Sequence, residues 1–188
     1  HKNLDYLKSN FDLPIIGVIS PGVVKALKVT QTNAIGVLGT YGTIRSDAYG
    51  KRLKSANSKI SVLSQACPLF VPLAEEGWVE GGVPKSVATH YLKQFKSTTI
   101  DTVILGCTHY PLLKQIIGDV LGSTVNLVDS GEATVSSLQS VLTENNLFAD
   151  ESSGEIHCFV TDSPDTFESL ASRFVNGKIQ SISHIDLT

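Results

Sequence analysis

Short, largely apolar runs alternate along this chain with segments whose apolar residues recur every three or four positions. The runs are PIIGVI (14–19), AIGVLG (34–39), KISVLSQA (59–66) and TIDTVILG (99–106). A strand that alternates apolar and polar residues can leave one face in water. A strand apolar on both faces must be covered on both, which is the condition of a parallel sheet between two helical layers. Helix-period segments follow the runs: VVKALKVT, TIRSDAYGKRLKSA, VPKSVATHYLKQFK and YPLLKQIIGDVLG. PLFVPLAEEG (68–77) reads as a short helix broken at Pro72 and ended by Gly77. TVNLVDSGEA (124–133) reads as strand, turn and helix start. IHCFVT is a further strand, Ser163 caps a helix that closes at Gly177, and KIQSISHID is a last strand. The polar stretch 143–155 is the best linker. The expected fold class is therefore α/β: a doubly wound, three-layer lobe with a parallel sheet.

The chain has 188 residues, 41% of them hydrophobic, enough for a sizeable core. The net charge of -3 comes without a basic block, which argues against nucleic acid or an anionic membrane surface as partner. No apolar run is long enough to span a bilayer, and the start does not read as a signal peptide. The three cysteines, Cys67, Cys107 and Cys158, are widely spaced, with no CxxC or CxxH pair to suggest a metal. Free thiols in a cytoplasmic protein are the expectation. The first residues, HKNLDYLKSNFDLP, keep helical spacing at Leu4, Leu7 and Phe11 without a capped start, and read as the end of a helix belonging to a longer chain.

In a doubly wound fold, ligands sit beyond the carboxyl ends of the strands. Two such ends carry reactive or anion-holding groups. In ILGCTHYPLL (104–113), Cys107, Thr108 and His109 follow a buried strand and precede a helix start marked by Pro111. A helix start offers N–H groups and partial positive charge, which lower a thiol pKa. His109 could position or protonate the thiol; the plain alternative is a buried cysteine beside a capping histidine. In GTYGTI (39–44), Gly39 and Gly42 allow tight geometry, while the Thr40 and Thr43 hydroxyls and nearby N–H groups could hold an anion such as a carboxylate. The spacing fits neither a Walker loop nor GxGxxG, so no nucleotide cofactor is expected. Cys67 reads as structural, Cys158 as core, and His90 as a surface residue. A thiol and imidazole facing an anion-binding loop suit thiolate attack on an acyl group, proton abstraction beside a carboxylate, or binding without catalysis.

Four segments in order, GVLGTYGTIRSDAY, ACPLFVPLAEEG, GCTHYPLL and LVDSGEA, resemble the glutamate racemases of the aspartate/glutamate racemase superfamily. The resemblance implies two pseudo-symmetric α/β lobes with the site between them, no cofactor, and glutamate as substrate. It implies that one cysteine from each lobe works in a proton swap that yields D-glutamate for peptidoglycan. It makes Cys107 the second-lobe catalytic cysteine, assisted by His109. Thr108, Thr40 and Thr43 become substrate contacts, and Glu75 an acidic residue near the site. A histidine at 109 favours glutamate over aspartate as substrate, and family members are often homodimers. The family's opening Asp-Ser-Gly and its first-lobe Cys-Asn-Thr have no counterpart here. The expected division is then 1–13 as the end of a first lobe, 14–127 as the second lobe, and 128–188 as a return segment completing the first. With one of the two cysteines, the chain alone is expected to be inactive or nearly so. A superfamily alternative is a single-cysteine lyase like the arylmalonate decarboxylases; a non-catalytic binding module is another.

Overall fold

In the computed structural model, residues 3–149, 154–171, 175 and 179–187 are described. They fall into two compact units, one ending at Asn146 and one starting at Leu147. The expected boundary at 127/128 lies earlier, inside the sheet of the first unit.

The first unit is a four-stranded, wholly parallel sheet with spatial order β2-β1-β3-β4. Its strands are β1 (Ala34–Gly39), β2 (Ser61–Ala66), β3 (Thr102–Leu105) and β4 (Asn126–Asp129). Helices α1 (Leu4–Asn10) and α2 (Ile19–Val29) precede β1. Helices α3 (Tyr41–Ser46) and α4 (Ala48–Ala56) join β1 to β2. Helices α5 (Phe70–Glu75) and α6 (Gly82–Leu92) lie between β2 and β3. A 3-10 turn (Tyr110–Leu113) and α7 (Lys114–Leu121) join β3 to β4, and α8 (Ser130–Glu144) follows. The unit thus has the expected α/β class.

All six residues of β1 and all four of β3, Thr102 included, are buried, as the largely apolar runs predict. Their side chains alternate between two cores. Ile35, Val37 and Ile104 pack with Val23, Ala26, Tyr49 and Leu53 of α2 and α4. Leu38, Val103 and Leu105 pack on the other side with Phe70, Leu92, Leu113 and Ile117. This two-sided burial is the doubly wound arrangement.

Two local expectations give way. Residues 14–19 are not a strand. The run approaches α2 without regular structure, and the helix already starts at Ile19. Pro21 falls in the first helical turn, where a missing N–H costs nothing and a fixed φ suits the helix. The segment 43–56 is also not one helix. Asp47 adopts the left-handed conformation (φ 50°), which Asp tolerates, and this separates α3 from α4.

The amino edge of the sheet is tied by one carboxylate. Asp101 accepts hydrogen bonds from the Thr30 hydroxyl (2.7 Å), the Gln31 and Thr32 N–H groups (2.7 and 2.9 Å) and the Thr102 hydroxyl (3.0 Å). Burial works against the charge, but these donors outweigh it and hold the Asp101 pKa down at about 2. A depressed folded-state pKa stabilises the fold above the unfolded carboxylate range, and that contribution is lost as the pH falls toward 2. Asp101→Asn is expected to cost about 1 kcal/mol at pH 7, discounted for partial exposure, and less at pH 3. Urea midpoints at the two pH values check it.

The second unit contains β5 (Ile156–Val160), α9 (Pro164–Ala171) and β6 (Ile179–His184), with β5 and β6 parallel. Ser163 caps α9 through its hydroxyl, which accepts from the Thr166 N–H at 3.3 Å. Gly177, expected to close this helix, lies outside the described residues. Cys158 sits mid-strand in β5 but is only partly buried, because its sheet has two strands rather than a covered interior. Among the described residues no helix is long and apolar enough to cross a membrane.

Candidate active site

The chain leaves β1 toward β2 on one side and returns to place β3 on the other side of β1. The strand order therefore reverses between β1 and β3, and the crevice at their carboxyl ends is the topological switch point. Register fixes what stands there. Leu38 pairs with Leu105, and the Gly106 N–H donates to the Leu38 carbonyl at 2.8 Å. Thr40 and Cys107, each two residues beyond that pair, end at the same level on strands about 5 Å apart. On the other flank Gly39 pairs with Ala66, so Cys67 stands at the level of Thr40.

The Thr40 side chain caps α3. It accepts from the Thr43 N–H at 3.3 Å, and the two hydroxyls are 3.2 Å apart. Gly39 makes this possible: a Cβ there would stand 2.8–2.9 Å from the Thr43 side chain. Two hydroxyls thus face each other at the end of the central strand.

Cys107 is partly buried. Burial pushes its thiol pKa up. The N–H groups of His109 and Tyr110, the Thr108 hydroxyl and the Thr108 N–H pull the other way without overcoming burial. The expected lowering of this pKa is therefore corrected: the donors expected at a helix start are present, and loss of solvent outweighs them. At rest the group is a thiol whose thiolate already has donors around it.

His109 lies between two partners. Its Nδ1 is 3.3 Å from the Thr108 hydroxyl and its Nε2 is 3.4 Å from a Glu75 carboxylate oxygen. Glu75, at the end of α5, is thus drawn to the Cys107 turn despite its exposure. Thr108 is exposed and His109 half-buried, so both can be reached from the crevice.

Cys67 has no exposed surface, and burial pushes its thiol up to about 12. It is a packing residue. The Tyr110 hydroxyl donates to the Cys67 carbonyl at 2.8 Å and ties the β2 end to the Cys107 turn. Tyr110 is fully buried, with its ring edge-on to Phe70 at 5.3 Å. Nothing in the linear pattern signals this tie, because its partners are 43 residues apart. His90 is exposed on α6, as expected.

The sequence pattern of the Asp/Glu/Hydantoin racemase family matches residues 1–138. A glutamate racemase of Geobacter metallireducens is 43% identical over 185 residues, covering 98% of this chain and 68% of the relative. The chain belongs to the glutamate racemases. A second relative, from Aquifex aeolicus, is 46% identical over 94% of this chain and 66% of its own length. Among solved structures, the glutamate racemase isoform RacE1 of Bacillus anthracis superposes with a TM-score of 0.90 at 36% identity, covering 98% of this chain and 69% of its own. That of Francisella tularensis, solved in complex with D-glutamate, gives 0.87 at 35%, covering 96% of this chain and 66% of its own. The family is one of amino-acid racemases, and the chain spans about two thirds of these relatives' length.

Proposed function

We propose that Cys107 is one of two thiols that racemise glutamate without a cofactor, by moving the α-proton between opposite faces of Cα. The observation that carries this is that the Cys107 turn and the Thr40–Thr43 hydroxyl pair follow directly on the carboxyl ends of the paired strands β3 and β1, with three N–H groups and a hydroxyl around the sulfur. The substrate is glutamate, as in the relatives, and the product D-glutamate serves peptidoglycan synthesis.

The Cα–H of an amino acid is a very weak acid, so position and charge compensation must carry the rate. The hydroxyls of Thr40, Thr43 and Thr108 hold the substrate carboxylate. In one direction the opposing thiolate removes the α-proton and Cys107 supplies one to the other face. The Cys107 S–H bond breaks as Cα–H forms, and the charge left on sulfur is received by the Thr108, His109 and Tyr110 N–H groups. In the reverse direction that same thiolate is the base. The raised resting pKa suits the acid role, and the waiting donors suit the basic one. His109, anchored by Glu75, orients Thr108 and the turn.

The only other thiol of the first unit, Cys67, is sealed in the core. We assign the opposing thiol to the part of the relatives' length that this chain does not span, because the remaining cysteine, Cys158, stands mid-strand on the small sheet of the second unit. Chiral separation of glutamate after incubation with the chain tests the assignment. Little or no inversion is expected. Rapid inversion that depends on Cys107 would contradict it, because a second base would have to lie within these residues.

Glu75→Gln is expected to lower Cys107-dependent turnover of glutamate about tenfold while leaving the unfolding free energy within about 0.5 kcal/mol of the parent's. The α-proton exchange rate beside a denaturation curve checks both halves.

A further inference from the structure

Behind Cys107 lies a buried hydroxyl pair. Tyr49 of α4 and Ser130, the first residue of α8, have relative exposures of 4% and 7%. Their hydroxyl oxygens are 3.0 Å apart, and the Ser130 hydroxyl is 3.2 Å from the Leu105 carbonyl oxygen. A serine has one proton to give. A carbonyl can only accept, so that proton goes to Leu105, and the Tyr49 O–H donates to Ser130. The chain of donors runs from Tyr49 to Ser130 to the Leu105 carbonyl.

That carbonyl and the Gly106 N–H belong to one peptide plane. The N–H end is held by the Leu38 carbonyl at 2.8 Å. The plane immediately before Gly106–Cys107 is therefore fixed at both ends, from β1 on one side and from α4 and α8 on the other. Room for this is also built in. A Cβ on Gly106 would stand 2.8 Å from the Leu38 oxygen and 2.9 Å from the Tyr49 ring, and a Cβ on Gly22 would stand 2.8 Å from the Ser130 hydroxyl. The Tyr49 ring lies against Gly106 while its hydroxyl serves Ser130.

We infer that Tyr49 and Ser130 are positioning residues for Cys107: through the Leu105–Gly106 peptide they aim the turn whose N–H groups surround the sulfur. The inference rests on the reading of Cys107 as the reacting thiol. It needs no contact between either hydroxyl and substrate. Releasing the Leu105 carbonyl frees one end of the peptide, and the donors of Thr108, His109 and Tyr110 lose their alignment on the thiolate. The ionisable groups around Cys107 are Tyr49 of α4, Tyr110 and His109 of its own turn, Glu75 of α5 through His109, Cys67 after β2 through Tyr110, and Asp129 at the end of β4 through Tyr49.

The test is the pH profile of Cys107 alkylation by iodoacetamide, read on the peptide that carries it. The proteins are the parent chain, Tyr49→Phe, Ser130→Ala and Asp101→Asn. Asp101 lies at the far end of β3 and serves as a destabilised control. Tyr49→Phe and Ser130→Ala are expected to move the midpoint up by about half a pH unit or more, since weakened donors stabilise the thiolate less. Asp101→Asn lowers the urea midpoint and leaves the profile on that of the parent. An unchanged or lowered midpoint in Tyr49→Phe and Ser130→Ala would overturn the inference, because the pair would then be structural only. Tyr49→Phe keeps the ring and removes one oxygen, so it carries the test if Ser130→Ala does not fold. Glutamate α-proton exchange is followed in parallel. A shifted midpoint beside exchange that persists in Cys107→Ser supports the positioning and sinks the reading of Cys107 as the reacting thiol. Exchange in the parent with an unmoved midpoint does the reverse.

Discussion

Cys107→Ser is expected to abolish exchange of the glutamate α-proton, a loss of about 10³-fold or more, with little change in fold. Serine keeps the size and the hydrogen-bonding reach of the side chain. Its hydroxyl, however, does not ionise at working pH, and the N–H groups of Thr108, His109 and Tyr110 have no thiolate to receive. The loss should appear in turnover rather than in substrate binding, because the carboxylate contacts assigned to Thr40, Thr43 and Thr108 stay in place. Cys67→Ser gives the contrast. That side chain is fully buried at the end of β2, so its replacement is expected to cost stability and to leave the dependence of exchange on pH unaltered. Rates by proton NMR with urea titrations of both variants check the pair.

Gly106→Ala is expected to destabilise the first unit by about 3 kcal/mol, among the largest effects of any single methyl addition. The added Cβ would stand 2.8 Å from a backbone oxygen of the central strand and 2.9 Å from the buried Tyr49 ring. Neither can yield. The Leu38 carbonyl is bonded to the Gly106 N–H itself, and Tyr49 is wedged between α2 and the sheet. Gly82→Ala is the matching control: nothing lies within 4 Å of its Cβ, and α6 gains an alanine, so it is expected to be neutral or stabilising by up to about 1 kcal/mol. The urea midpoints should move in opposite directions or differ by nearly the whole cost of the Gly106 change.

What could be read from the sequence depended on how local each cause was. The apolar stretches in runs 34–39 and 99–106 point to β1 and β3, because burial on both faces leaves a signature in consecutive residues. Residues 14–19 carry the same signature and are not a strand: Pro21 draws the α2 start back to Ile19, a matter of helix-end geometry that hydrophobicity does not encode. The approach of Thr40 to Cys107 was foreseeable from the switch-point rule, since it needs only strand order. The Tyr110 to Cys67 tie and the Tyr49–Ser130–Leu105 chain were not, since each joins residues far apart in sequence whose types are ordinary for a core. The direction of the Cys107 pKa shift is hidden from the sequence for a related reason. Donors at a helix start can be counted from the sequence, while the depth at which the sulfur is buried cannot.

Cys107 is proposed to move the α-proton of glutamate. Proton NMR of the chain in D₂O tests it most directly, with L-glutamate and D-glutamate incubated separately at pH 7 and pH 9 and Cys107→Ser as the reference. Loss of the α-proton signal is expected from one enantiomer only, and not in Cys107→Ser. The loss should be faster at pH 9, where more of a thiol with a raised pKa is ionised. Exchange that persists in Cys107→Ser, or Cys107-dependent exchange from both enantiomers alike, would contradict it.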